Sequence, residues 1–551
     1  MTIFLWVCAI LVNIKSMFSD YDIDSAYALA MSYRHLTGDG LFREMLEPHQ
    51  TSAFLTDLLL FPFMKLTCGT TGAVLWLHLW GILLYALVTF LLFRFLKKRV
   101  DLRLAHCICI LFFTMRAKQI VFPEFSNMLI GFSVLVCILF TLFLEQQQKT
   151  SYLLWTAFFL CLGVLSYPSF LIAFFALVYL LCRFSENKGR NVWLFTASCG
   201  LFGVIYAGYF VITCSFDTLL EAGMHIVSGD SSHSGSKLVS LFSPAANQDL
   251  LLGLIWGLVA ILIARAVSVL SHKKIPFLLV AIAAFTVMEA GYIVYFRTLP
   301  NMGYYVVAIV FIPIMIAGFV YRAYCSESQS LIYRVGMMLS LCTMVSVALL
   351  TNLGIITVLW YGIMGACVSL IPIWGRINGD ASPEINRMLE TEGSAGETAT
   401  ATKKAGATSR MSFFVLLLLL FMVHRGLLRP DITNHTNSLQ IGSYYKAGPA
   451  LGILSTYFPA FETSKDVEEW PNAVTAGDKL LLVGSANCIN TTAYLYAPVE
   501  ISHYSTICTP TYDALLLEYW DKYPEKKPTV VGVECWYGEL HVDTDSWIYG
   551  W

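Results

Sequence analysis

The sequence predicts an α-helical multi-pass membrane protein with about thirteen spans and a small C-terminal extracytoplasmic α/β domain. Three observations lead there. The chain is 57% hydrophobic and only 13% charged, with a mean hydropathy of +0.66, about half the charged fraction of an ordinary soluble protein. Its apolar runs reach the roughly 20 residues that a helix needs to cross a bilayer. Basic clusters at 97–99, 188–190, 272–274 and 403–404 recur on alternate loops, as cytoplasmic loops do. The same totals exclude other classes. A net charge of −2 supplies no basic surface for nucleic acid. The 15 cysteines include Cys107, Cys109, Cys137 and Cys161 inside apolar runs. They read as packed thiols, with no disulfide framework and no metal-ligand spacing.

The elements follow in order. Residues 1–18 form the first span. It lacks the basic stretch and small-residue cleavage site of a signal peptide, so it is expected to stay uncleaved. Residues 19–70 form a polar outer loop that opens SDYDIDSAYALAMSYRHLTGDGLFREMLEPHQTS. The recurrence of Tyr27, Met31 and Arg34, and of Ala26, Ala30 and Tyr33, predicts a short helix there. It would start near Asp24 or Ser25, both good N-caps. Further spans are expected at 71–96, 102–115, 127–144, 152–166, 169–182, 192–213, 250–270, 277–296, 304–321, 335–350 and 355–373. Residues 214–248 read as a second outer loop, whose His225 and His233 have no acids at ligand spacing. Residues 376–410, rich in Ala, Thr, Gly and Glu, read as a disordered cytoplasmic linker after a transmembrane domain of residues 1–375. A last span covers 411–423. Within 424–551, a strand at 479–485, a helix at 512–520 and a strand at 528–535 predict the α/β domain. An odd number of spans places that domain outside.

Chemistry is concentrated in the first outer loop, which holds Asp20, Asp22, Asp24, Asp39, Glu44, Glu47 and His49. An acid fixed at a helix start beside a membrane is either a general base or a cap that solvates the loop. Arg34, Arg43, Arg116, Lys118 and Arg297 fall on the outer side, against the usual charge bias. They either hold a lipid phosphate or pair with Asp39, Glu47 and Glu124 and snorkel to headgroups. Glu289 falls within a span, where an acid faces a cavity or a partner such as Tyr292. No Gly-rich phosphate loop, Walker pattern or G-x-S-x-G elbow is present, so nucleotide hydrolysis and serine chemistry lack support.

The order Asp24, Tyr27, Gly38 with Asp39, then Pro48, directly after the first span, resembles the GT-C membrane glycosyltransferases. The similarity is to the bacterial protein mannosyltransferase and aminoarabinose transferase type. Glu124 matches a second acid in the loop before the fourth span, and Arg297 to Pro300 resembles a later Arg-x-x-Pro stretch. The chain departs from the pattern at Ser25, where the family has a second acid. It departs again at Glu47, where a basic residue is usual, and at Ser166 to Ser169, where a basic residue often binds the donor phosphate. The resemblance implies a GT-C-like fold and transfer of a sugar from a polyprenyl-phosphate donor to an extracytoplasmic glycan, lipid or protein acceptor. It implies Asp24 as general base, with Asp22 and Asp20 next, and Glu124 and Asp39 orienting the acceptor. Glu47, His49, Gln50 and Tyr27 would line the sugar site, and Arg116, Lys118 and Arg297 would hold the phosphate. A divalent metal on these acids is left open.

Two other classes compete. A lipid-linked sugar transporter or flippase predicts charges spread through the spans around a midplane cavity. A non-catalytic cell-envelope assembly protein predicts that Asp24 and Glu124 lie far apart. The clustering of charge at one face of the membrane favours the enzyme.

Overall fold

The computed structural model describes residues 2–19, 23–45, 49–68, 73–117, 121–146, 149–228, 241–243, 247–270, 300–350 and 354–378. It also describes residues 479–483, 500–505 and 517–533, together with scattered residues in 280–287, 414–422 and 535–540. The expected first span coincides with helix α1 (Thr2–Ser19), and the helix expected after it is α2 (Ile23–Thr37). Then come α3 (Ala53–Thr67), α4 (Ala73–Leu96), α5 (Leu102–Thr114), α6 (Phe125–Glu145), α7 (Thr150–Ser166), α8 (Ile172–Phe184) and α9 (Lys188–Cys214). The series continues with α10 (Phe216–Ser228), α11 (Gln248–Leu270), α12 (Pro300–Val320), α13 (Glu327–Leu350), α14 (Ile355–Trp360) and α15 (Ile363–Asn378).

Most expected spans coincide with helices to within a few residues, because a long apolar run in lipid must satisfy its own backbone. Two stretches read as loops are partly helical. α3 occupies the later part of the first outer loop, and α10 occupies the start of the second. The expected span at 277–296 and most of the linker at 376–410 lie outside the described residues, as does Glu289.

The chain is a membrane protein and mostly helical. Among the described residues, four helices are long and apolar enough to cross a bilayer, and seven shorter apolar helices accompany them. α9 shows the surface such a helix turns to lipid: Trp193, Leu201, Val204, Ile205 and Ile212 are all exposed, an apolar stripe that water would penalise. Inside, α1 packs on α4 and α5, α6 packs on α7 and α13, and α15 packs on α5, α12 and α13. Phe112, Phe140, Phe143, Trp360 and Tyr361 fill the centre of this core.

One close approach sets the spacing between α4 and the segment that leads into α6. A Cβ built on Gly81 would stand 1.8 Å from the Val121 carbonyl oxygen, well inside any allowed contact. Gly81→Ala is therefore expected to push α4 away from that segment. It should cost at least the roughly 1–3 kcal/mol typical of overpacking, read as a lowered Tm of the purified protein.

The later part of the chain carries strands. β1 (Lys479–Val483) lies between β2 (Glu500–Ser505) and β3 (Val530–Val533) in a parallel sheet. A helical turn at 517–522 falls between β2 and β3 in sequence, the order a parallel crossover needs. A short hairpin of β4 (Cys535–Trp536) and β5 (Glu539–Leu540) follows.

Candidate functional site

α2 stops where the sequence supplies glycine. Gly38 has φ 118°, a left-handed conformation that other residues adopt at a cost, and its N–H donates back to the Arg34 carbonyl at 3.1 Å. That turn folds Asp39 under the helix. Arg34 Nε donates to Asp39 Oδ2 at 2.6 Å and Nη2 donates to the Glu44 carbonyl at 3.0 Å. The pair is almost fully buried, with side-chain exposures of 1% and 8%, so each charge depends on the other.

Glu44 closes the next turn. Its carboxylate accepts from the Gly40 N–H at 2.6 Å and from Arg43 Nε at 2.6 Å. The tail reaches the same two acids. The Tyr519 hydroxyl donates to Glu44 Oε1 at 3.0 Å, and Lys526 Nζ stands 3.6 Å from Asp39 Oδ1. Burial and the adjacent Glu44 carboxylate push the Tyr519 phenol up, so it remains the donor in this contact.

His49, Gln50 and Thr51 attach the loop to the helix ends. His49 has φ 64°, and its ring stacks on Phe125 at 4.3 Å with Tyr167 at 4.4 Å. Gln50 Oε1 accepts the Phe42 N–H at 2.7 Å, and the Thr51 hydroxyl donates to the Leu165 carbonyl at 2.6 Å. A left-handed residue that is not glycine costs energy, and such strain collects at functional positions.

A third group holds α2 to α3. Asp57 on α3 accepts the Ser32 hydroxyl at 2.5 Å through Oδ1 and meets His35 Nδ1 at 2.5 Å through Oδ2. The far edge of His35 faces the Tyr209 hydroxyl on α9 at 3.5 Å.

The remaining candidates that can be placed lie among the helices. Glu124 is the N-cap of α6, and its carboxylate accepts the Ser126 and Asn127 N–H groups at 2.6 and 2.7 Å while fully buried. The Glu124 side chain thus does what Ser, Thr, Asp or Asn more often does at a helix start. Glu124→Ala is expected to cost about 1–2 kcal/mol through loss of that cap, measured as a lowered Tm, with Glu124→Gln losing less. Arg116 is also fully buried. Nη2 donates to Asn13 Oδ1 at 2.8 Å, Nη1 to the Gly81 carbonyl at 3.4 Å, and the guanidinium lies 4.5 Å from the Tyr85 ring centre.

Of the residues the sequence singles out, Asp39, His49 and Gln50 belong to the loop assembly, and Glu124 and Arg116 to the ends of the helix bundle. Asp24 and Tyr27 lie on α2. Asp20, Asp22, Glu47, Lys118 and Arg297 lie outside the described residues. Arg34 and Arg43 take up the pairing alternative, each with a carboxylate of its own loop. His35, Asp57, Tyr519 and Lys526 were not singled out. The one signal for Asp57 was an acid inside the apolar stretch FLTDLLLF. Among the described residues, no group of three or more His, Cys, Asp or Glu side chains is placed to hold a metal ion.

The class so defined is a helical membrane protein with a polar, loop-built assembly at one end of its helices. No family model and no curated protein matches the chain. Among solved structures, it is similar to the archaeal oligosaccharyltransferase AglB from Archaeoglobus fulgidus in complex with an inhibitory peptide and a dolichol-phosphate. That match has 11% identity and TM-score 0.45, and it covers 92% of this chain and 64% of the other. It is similar also to the A. fulgidus oligosaccharyltransferase tethered to an acceptor peptide, at 10% identity and TM-score 0.45, with 92% and 64% covered. The apo form of that enzyme gives 10% identity and TM-score 0.42, with 93% and 65% covered. The chain thus spans less than two thirds of the length of these structures.

Proposed function

We infer that the protein is a GT-C-like glycosyltransferase of the cell membrane. It would move a sugar from a polyprenyl-phosphate donor to a hydroxyl on an extracytoplasmic glycan, lipid or protein. In this reading the transmembrane domain is residues 1–375 with its catalytic loop at 19–70. The chain crosses about thirteen times, and residues 424–551 form an α/β domain outside, after the linker at 376–410 and the span at 411–423. The observation that carries the reading is the first loop itself. Its described acids Asp39 and Glu44 each meet an arginine of the same region, its backbone is bent at Phe42 and His49 into left-handed geometry, and the tail touches Glu44 and Asp39.

Asp24 takes the proton from the acceptor hydroxyl as its oxygen attacks the anomeric carbon. The bond from that carbon to the donor phosphate oxygen breaks, and its electron pair leaves with the phosphate. Asp22 is the next choice for the base. Asp39, Glu47, His49, Gln50 and Tyr27 border the sugar and acceptor. Lys118 and Arg297 stabilise the departing phosphate. Arg116, held in the bundle by Asn13 and Gly81, supports the loop that bears Lys118.

The test is turnover by the purified full chain in lipid nanodiscs, supplied with a panel of polyprenyl-phosphate sugars. Release of polyprenyl phosphate together with a glycosylated acceptor supports the reading. Movement of the lipid-linked sugar between leaflets of proteoliposomes, with no cleavage, would replace it with the flippase reading.

A further inference from the structure

The geometry points to a lipid-facing site for a phosphate headgroup, formed by His35, Tyr209 and Arg43 where α2 and the first loop meet the outer end of α9. It stands apart from the proposed base. Asp24 and His35 are separated by most of α2, about 16 Å at 1.5 Å per residue, so one small group cannot touch both.

The site is built around an oriented imidazole. Asp57 is buried and both of its oxygens are engaged, one by Ser32 and one by His35 Nδ1. A carboxylate accepts, so Nδ1 is the donor and the ring turns Nε2 outward. The Phe54 ring stands edge-on to the imidazole at 5.1 Å and also contacts Tyr209 at 5.3 Å, which fixes both polar tips over one aromatic bed. Nε2 and the Tyr209 hydroxyl are 3.5 Å apart, longer than a good hydrogen bond. One oxygen about 2.8 Å from each would satisfy both better than they satisfy each other.

A cation lies one helical turn away along α9. Arg43 Nη1 reaches the Thr213 carbonyl at 3.4 Å, one helical turn beyond Tyr209 on the same face of α9. Its Nε is held by Glu44 at 2.6 Å, but the side chain is 37% exposed, so Nη2 keeps donors for an anion. The Tyr209 hydroxyl donates to one phosphate oxygen, and His35 Nε2 bonds the same headgroup.

The surroundings select a lipid over a soluble anion. On α3, Leu58 beside Asp57 is 72% exposed and Phe61 is 49% exposed; on α9, Ile205 and Ile212 are exposed at 61% and 85%. Polar donors bordered by apolar faces that water would not tolerate match a phosphate carried on an acyl or prenyl chain.

The test needs no enzymatic activity. The purified full chain in phosphatidylcholine nanodiscs is treated with diethyl pyrocarbonate, and carbethoxylation of His35 is followed by mass spectrometry of its peptide. Decaprenyl phosphate or phosphatidic acid in the disc is expected to slow modification about fivefold when the lipid is at about four times its Kd. Tyr209→Phe and Arg43→Gln should each reduce that protection, and Asp24→Asn should leave it unchanged. Protection by inorganic phosphate equal to that by the lipids would overturn the lipid assignment, and no protection by any of them would overturn the site. Neither result depends on whether the chain transfers sugar.

Discussion

Asp24→Asn is expected to lower the rate of sugar transfer by about 10²–10⁴-fold, the usual worth of a positioned general base. The substitution keeps the size of the side chain within the first turn of α2. Only the proton acceptor is lost. The fall should appear in kcat, with binding of the polyprenyl-phosphate donor little changed, because the base acts as the acceptor loses its proton. Near wild-type turnover by the purified variant would remove Asp24 from the mechanism. Asp22 would then be the next residue to change.

Arg34→Ala is expected to destabilise the protein by about 3–5 kcal/mol, the cost of leaving one member of a buried ion pair uncompensated. The guanidinium binds the Asp39 carboxylate and the Glu44 carbonyl at once, so two turns of the loop lose their anchor together. Lys526, at 3.6 Å on the other oxygen, is too distant and too exposed to replace it. Arg34→Met combined with Asp39→Leu should recover much of the loss, since apolar groups of similar volume require no counter-charge. A lowered Tm in the single variant, partly restored in the double, checks both statements. Equal losses in the two would show that the ion pair is not what holds the loop.

The sequence and the structure agree most closely where one local force dominates. Apolar length alone located α1, α4, α5, α6 and α9, because a helix is what an apolar run becomes in lipid. Ser25 and Asp24 located the start of α2 within two residues, because a polar side chain ahead of a periodic run is a helix signal in itself. α3 was less legible. Asp57 and Pro62 interrupt its apolar pattern, and each argues locally against a continuous helix. The tertiary partners of Asp57, Ser32 and His35, are 25 and 22 residues away, and nothing in the spacing announces them. Glu124 shows the reverse difficulty. Its position ahead of an apolar run was visible, yet an acid there reads equally as cap or catalyst until its two N–H donors are seen.

The contact between Tyr519 and Glu44 joins residues 475 positions apart, and ribosomes make the chain in one direction. The opening carboxylates are translated, inserted and packed while their last partners are still uncoded message. Through that interval Arg34 and Arg43 are the cations that the finished loop already places on Asp39 and Glu44. A premature stop before codon 519 therefore acts at the opposite terminus from its own location. When the stop falls after α15, the product would carry α1 to α15 in full and a first loop missing its contacts with Tyr519 and Lys526. Variants of the distal tail and of the opening loop should consequently behave as one genetic group.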